Sequence, residues 1–198
     1  YLPYKPKRRT RATIAKEKGL EPLAKFILKQ EIIEGLAEDY AAQFIDEEKG
    51  VISADDALAG ARDIVAEIIS EDATVRRTIR ERTTEKGVLH SEARKQDDVA
   101  EYEIYKEFAE SLKSVPAYRI LAINRGEREN FLRVEIDAPE QEMVYEIEQL
   151  YISNQRSIFT DELKTACEDS YRRLIAPAIE RELRNNISEL SLIHISEP

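Results

Sequence analysis

The side chains with the clearest chemical potential lie at the start of the chain. Lys5, Lys7, Arg8, Arg9 and Arg11 follow one another with no acid among them, and Tyr1 and Tyr4 are interleaved. Extended cationic segments can track a phosphate backbone, and tyrosine rings can stack on bases. These five cations are the candidate nucleic-acid contacts. The competing reading lays the arm across acidic helices of its own protein, since only a charge footprint supports the first. A second basic run, Arg76, Arg77, Arg80 and Arg82, puts Arg76 and Arg80 on one helical face. Arg77 is spaced to pair with Glu81, so this run reads as an ordinary solvated face.

Nothing comparable assembles a catalytic centre. His90 and His194 are remote from each other, and neither shows the spacing with Cys, His or Glu that zinc needs. Cys167 falls at a core-like position in the middle of a helix and reads as a small buried hydrophobe. There is no Walker loop and no G-x-G-x-x-G. Neighbouring carboxylates such as Asp55 and Asp56 are expected by chance among 40 acids, and capping and dipole complementation are their natural uses. The expectation is a non-enzymatic chain with no catalytic residue, no metal and no cofactor.

These residues belong to a chain of 198, with 40 acids against 30 bases and a formal net charge of −10. Residues 1–18 hold seven cations and one acid, a balance of +6, so the other 180 carry −16. An acidic body opposes wholesale wrapping of nucleic acid but leaves room for a local basic patch. Hydrophobic residues make up 42% and charged residues 35%, which excludes disorder by composition. No apolar run approaches the roughly 20 residues needed to span a bilayer, and no signal-peptide pattern opens the chain. No membrane partner is expected. A single cysteine excludes an intrachain disulfide and fits a reducing, cytoplasmic setting. With only 6 glycines and 7 prolines, long helices are favoured over many-stranded sheets. The expected fold is mainly α, an irregular multi-helical array with one small two-stranded β element.

The elements follow from capping signals and periodicity. Pro3 and Pro6 hold residues 1–12 as an extended basic arm. A short helix over Thr13–Lys18 stops at Gly19, and Leu20–Gln30 follows with Pro22 in its first turn and Leu23, Phe26 and Ile27 on one face. A helix over Leu36–Ile45 leads to a turn through Gly50. Ser53 and Asp56 form an S-x-x-D cap, after which Ala57, Ala61, Ile64, Val65 and Ile68 recur at helical spacing. Gly60 inside that helix points to a close helix crossing. Asp72 caps the next helix, with Val75 and Ile79 inward. Gly87–His90 reads as a strand whose partner is Phe131–Asp137, where Leu132, Val134 and Ile136 alternate with charges. Between them lie helices over Glu101–Lys113, with Tyr105, Phe108 and Leu112 on one side, and over Pro116–Asn124. Pro139 opens a helix through Ile152 that turns Met143, Ile147 and Leu150 inward. The final helix, Thr160–Ser188, carries the ladder pairs Glu168–Arg172, Asp169–Arg173 and Glu180–Arg184. A kink is expected at Pro177.

Four stretches together resemble one family. Residues 1–24, from Tyr1-Leu-Pro-Tyr-Lys-Pro-Lys-Arg-Arg-Thr to Glu-Pro-Leu-Ala24, look like the signature of the Tex family of bacterial transcription accessory proteins. Asp56-Ala-Leu-Ala-Gly-Ala-Arg-Asp-Ile64 resembles the family's next block. Arg119-Ile-Leu-Ala-Ile-Asn-Arg-Gly-Glu127 and the run from Asp169 to Arg184 complete the match, which covers about residues 1–189. The resemblance implies a helical scaffold followed by a YqgF-type RNase H-like domain, a helix-hairpin-helix element and an OB-fold RNA-binding domain. It also implies a helical core similar to that of a eukaryotic elongation factor that works on chromatin. Residues 13–190 correspond to the scaffold region that precedes the YqgF-type domain, which is missing here. Nucleic acid is then a partner of the full-length protein, held weakly or not at all by this region, with the transcription machinery as a further partner. The opening at Tyr1 and the family-unlike tail 191–198 lead to the expectation of a piece of a longer protein ending in a junction artefact. Two functions follow from these lines: a non-enzymatic scaffold of a Tex-like protein, or a weak nucleic-acid-binding module acting through the basic arm.

Overall fold

The computed structural model describes residues 8–95 and 98–196. In chain order its elements are α1 (Arg11–Glu17), α2 (Glu21–Lys29), α3 (Ala37–Ala42), α4 (Ala54–Glu71), α5 (Ala73–Lys86), β1 (Val88–Ala93), β2 (Glu107–Ser111), α6 (Ala117–Arg128), β3 (Leu132–Asp137), α7 (Glu140–Tyr151), α8 (Thr160–Asp169) and α9 (Ala176–Ser196). Short 3-10 helices cover Glu47–Lys49 and Ala100–Tyr105, and a π-helical turn covers Ser170–Ile175. The fold is mainly α. Two compact units emerge, one from the residues up to Val75 together with Val144–Leu174, the other from Arg76–Met143 and the residues from Ile175 onward.

In the first unit α4 is the central element, packed against α1, α2, α3 and α8. Its start is set as the cap predicts: Ser53 Oγ accepts from the Asp56 N–H at 3.1 Å, while Asp56 Oδ2 accepts from the Ile52 N–H at 3.2 Å. One stripe of α4 (Ala57, Ala61, Ile64, Val65 and Ile69) is buried with Leu20, Leu23 and Ile27 from the α1–α2 region and Leu163, Ala166 and Cys167 from α8. Small residues in that stripe permit the close approach. A Cβ built on Gly60 would sit 2.3 Å from Leu20 Cδ1 and 3.4 Å from Ala15 Cβ. Alanine would gain about 1 kcal/mol of helix propensity, but the overlap outweighs it. We expect Gly60→Ala to destabilise by about 1–2 kcal/mol in urea unfolding. Because the obstacle is one side chain, Gly60→Ala combined with Leu20→Ala should lose clearly less than the two changes summed. Strict additivity would show that the crossing is not tight.

Three outward-facing apolar residues correct the expected faces. Phe26, Ile68 and Leu150 are 37%, 40% and 47% exposed, since each lies on the edge of its helix's buried stripe. Met143 and Ile147 of α7 are buried as expected.

The second unit contains the sheet. It has three strands rather than two, all antiparallel, in the order β2-β1-β3. The expected pair is present, with Leu89 opposite Ile136 and Ser91 opposite Val134. The added strand is β2, from a segment expected to be helical. The spacing of Tyr105, Phe108 and Leu112 suits a helix, yet the chain ends its 3-10 turn at Tyr105 and pairs Phe108 with Ser91. Phe108 still meets Tyr105 edge-on at 5.4 Å between ring centres, so the same apolar contact is made by a different backbone. Leu89, Tyr102, Tyr105, Ile120, Ile123, Leu132 and Val134 form the core beneath the sheet. Helix α6 continues past Asn124 through Gly126 to Arg128. A Cβ at Gly126 would come within 2.5 Å of Leu132 Cδ1 and 3.1 Å of Tyr102 Cδ1. That glycine serves packing, not termination.

The π turn at Ser170–Ile175 lies just before Pro177. An α-helical turn would bring the proline ring against the carbonyl of Arg173, and a widened turn relieves that collision. Two of the three expected ladder pairs form, Glu168–Arg172 at 2.6 Å and Asp169–Arg173 at 2.9 Å. The third does not. Glu180 Oε1 instead accepts the Ile136 N–H at 2.8 Å, and Arg184 pairs with Glu127. Among the described residues, no helix is long and apolar enough to cross a membrane.

Candidate nucleic-acid interface

Lys5 and Lys7 lie outside the described residues, as do Tyr1 and Tyr4. Arg8, Arg9 and Arg11 are exposed. The extended segment ends at Thr10, whose Oγ1 accepts the Thr13 N–H at 3.1 Å and caps α1, so Arg11 opens a helix. Arg9 reaches forward to Glu17 on that helix, with Nη2 and Oε2 2.5 Å apart. Both partners are more than half exposed, so the pair contributes little stability, but it turns one cation toward its own protein. Arg11 lies close enough to Asp63 of α4 to favour that carboxylate's charged form.

Asp63 sits in a charge cluster of the first unit. Burial pushes its carboxyl above the usual carboxylate range, Arg173 opposes that rise, and Asp169 adds to it. Arg173 Nη2 lies 3.9 Å from Asp63 and 2.9 Å from Asp169. Arg62 of α4 is paired with Glu162 of α8. These pairs join α4 to the helical segment around α8 through charges that are each partly screened from water. Their geometry is that of structural ion pairs, with Arg173 shared between Asp63 and Asp169 and Arg62 held by Glu162. Arg80, from the second basic run, pairs with Glu182 at 2.9 Å, not with a neighbour on its own helix.

Cys167 is wholly buried in α8, and its thiol is pushed up to about 12 by burial, with Glu148 adding to the shift. A thiol held in that form is a poor nucleophile. His90 lies on the solvent-facing side of the sheet, its Nε2 3.9 Å from Asp137 Oδ2. Among the described residues, no three His, Cys, Asp or Glu side chains gather as they would around a metal ion.

A feature not anticipated from the sequence is a concavity of about 670 Å³ in the second unit, between α6 and α9. Leu121, Asn124 and Arg128 recur at helical spacing on one wall, and Pro177, Glu180, Arg181, Arg184 and Asn185 do so on the other. The spacing was visible in the sequence. That the two helices face each other was not, because it depends on where the sheet places them.

The fold and this distribution of charge define a mainly helical protein whose described polar clusters are ion pairs and backbone latches. Comparison with known proteins makes that description specific. The family model described as Tex central region-like matches residues 34–191. An uncharacterized Bacillus subtilis protein, YdcI, is 45% identical over 192 residues, 96% of this chain and 27% of its own length. The transcriptional accessory protein Tex of Neisseria gonorrhoeae is 36% identical over 138 residues, covering 68% of this chain and 17% of that protein. A more distant relative, the S1 RNA-binding domain-containing protein 1 of Pongo abelii, is 28% identical over 94% of the chain and 20% of its own length. The chain belongs to the Tex family. It spans about a quarter or less of the length of these relatives.

Proposed function

We propose that this chain is a non-enzymatic helical scaffold from a transcription accessory, nucleic-acid-binding protein that works in the cytoplasm. The observation that carries the proposal is the family match across residues 34–191, which is a match to the family's central region. The packing supports it: helices ranged around α4 bury small and branched side chains in a close-fitting core, as a frame requires. In longer relatives such a frame would hold nucleic-acid-binding domains in fixed relation, and the name of the S1 RNA-binding domain-containing relative fits that arrangement. The basic arm takes a secondary part, because Arg9 already has a partner on α1 and the charge of Arg11 is felt by Asp63 of α4.

Fluorescence anisotropy with labelled single-stranded RNA and DNA, titrated across a salt series, tests this. Binding should be no tighter than the roughly 10⁻⁴–10⁻⁶ M of non-specific electrostatic contact, and should fall steeply with salt. Nuclease and phosphatase assays with divalent metal should stay at the blank. Nanomolar affinity at physiological salt, abolished by Arg8→Ala, Arg9→Ala and Arg11→Ala together, would replace the scaffold with the arm as the working element. Robust turnover would overturn the non-enzymatic assignment.

A further inference from the structure

The groove between α6 and α9 is lined unlike the rest of the surface. Arg128 and Arg181 stand exposed at its rim, and neither makes an ion pair with any described residue. Most other arginines of the second unit are engaged: Arg80 with Glu182, Arg119 with Glu110, Arg125 with Glu101 and Arg133 with Glu92. In a protein with a net charge of −10, two cations left without an acid on opposite walls of one groove are conspicuous. Deeper in, Arg184 is clasped by Glu127, tying α9 to α6 and fixing the spacing of the walls. Glu180, the acid in the lining, is already occupied by the Ile136 N–H. That bond fixes the carboxylate at the sheet side of the groove and covers part of the open edge of β3.

Leu121 and Pro177 add apolar surface, and the exposed Asn185 presents a side-chain amide. An amide of this kind matches the paired donor and acceptor of an extended peptide backbone. Arginine forks match carboxylates two oxygens at a time. Among the described residues the lining contains no aromatic ring on which a base could stack, and its two exposed cations, Arg128 and Arg181, form two points, not a track. We propose that the α6–α9 groove is a docking site for an extended acidic peptide segment of a partner protein. Arg128 and Arg181 take its carboxylates, Asn185 its backbone, and Leu121 and Pro177 an apolar side chain between them. This inference stands apart from the scaffold assignment and survives or fails without it.

The test uses the 198-residue chain and a fluorescein-labelled peptide in which aspartate and leucine alternate. A peptide with lysine in place of aspartate and a labelled oligo(dT) serve as the other arms. The acidic peptide should bind saturably, and Arg128→Glu with Arg181→Glu should weaken it by about tenfold or more. Arg133→Glu, on the solvent face of the sheet, should leave the affinity unchanged. Arg128→Gln with Arg181→Gln provides a milder pair, and circular dichroism melting establishes that each variant is folded. Failure of the acidic peptide to bind overturns the proposal. So does equal binding of the lysine peptide, an equal loss with Arg133→Glu, or tighter binding of oligo(dT) through the same two arginines.

Discussion

Gly87→Ala is expected to destabilise the second unit by about 2–3 kcal/mol in urea unfolding followed by far-ultraviolet circular dichroism. Gly87 joins the end of α5 to the start of β1. A Cβ there would lie 2.4 Å from the backbone carbonyl oxygen of Thr83 and 2.8 Å from Leu112 Cδ1. The contrast with Gly60 is instructive. At Gly60 the nearest obstacle is the tip of a leucine, which can be shortened. At Gly87 it is main chain, and no side-chain substitution removes it. Nor can the junction drift away, because the Gly87 N–H donates to Thr83 O at 2.7 Å and the Gly87 carbonyl accepts from Leu112 N at 3.0 Å. Shifting the residue enough to admit a methyl group breaks at least one of those bonds and loosens the β1–β2 end of the sheet. Its φ is not in the left-handed region, so any effect reports crowding and not conformational preference. A Gly87→Ala protein within about 0.5 kcal/mol of the parent would show that helix and strand are not held together as tightly as this.

What the sequence exposed and what it hid follow a physical division. Capping at Ser53 and Asp72, the left-handed glycine after α1 and the buried stripe of α4, Ile68 apart, depend on residues a turn apart and were legible. The β1–β3 pair was legible too, because Leu132, Val134 and Ile136 alternate with charged residues. Strand β2 was hidden. Glu-Phe-Ala-Glu-Ser has one strong strand former, and it pairs only because β1 offers a free edge, which is a property of the sheet and not of the segment. Ion pairs divide in the same way. Glu168–Arg172 could be read from spacing, whereas Arg184 passes over Glu180 for Glu127 on another helix. Of the candidate nucleic-acid contacts, the cations were plain as a run, but the Arg9–Glu17 pair required the helix to be in place. The α6–α9 groove needed still more, two helices and the sheet edge between them.

Gln30 carries the largest expected effect in the first unit, and no local pattern announced it. It ends α2 in the left-handed conformation, with φ of 56°, and its side chain is buried. Its Nε2 donates to the Tyr151 carbonyl at 2.8 Å and to the Leu28 carbonyl at 3.2 Å, while Oε1 accepts the N–H groups of Ser153 and Asn154 at 2.9 and 3.2 Å. One amide thus satisfies an orphan carbonyl at the end of α7 and two donors of the segment that follows. Asn154 Nδ2 returns a bond to the Gln30 carbonyl at 2.9 Å. Gln30→Leu keeps the bulk but strands those groups beside an apolar side chain, and we expect it to cost about 3 kcal/mol or more. Gln30→Gly and Gln30→Ala separate the two roles of the residue. Both lose the side-chain bonds, but glycine tolerates the positive φ and should retain about 1 kcal/mol more stability than alanine. Hydrogen exchange adds a local readout, since the Ser153 and Asn154 amides should lose protection in all three variants. If leucine proved harmless while those amides stayed protected, the segment after α7 would have to be held by its own packing through Phe159, and the glutamine would be an accessory to it.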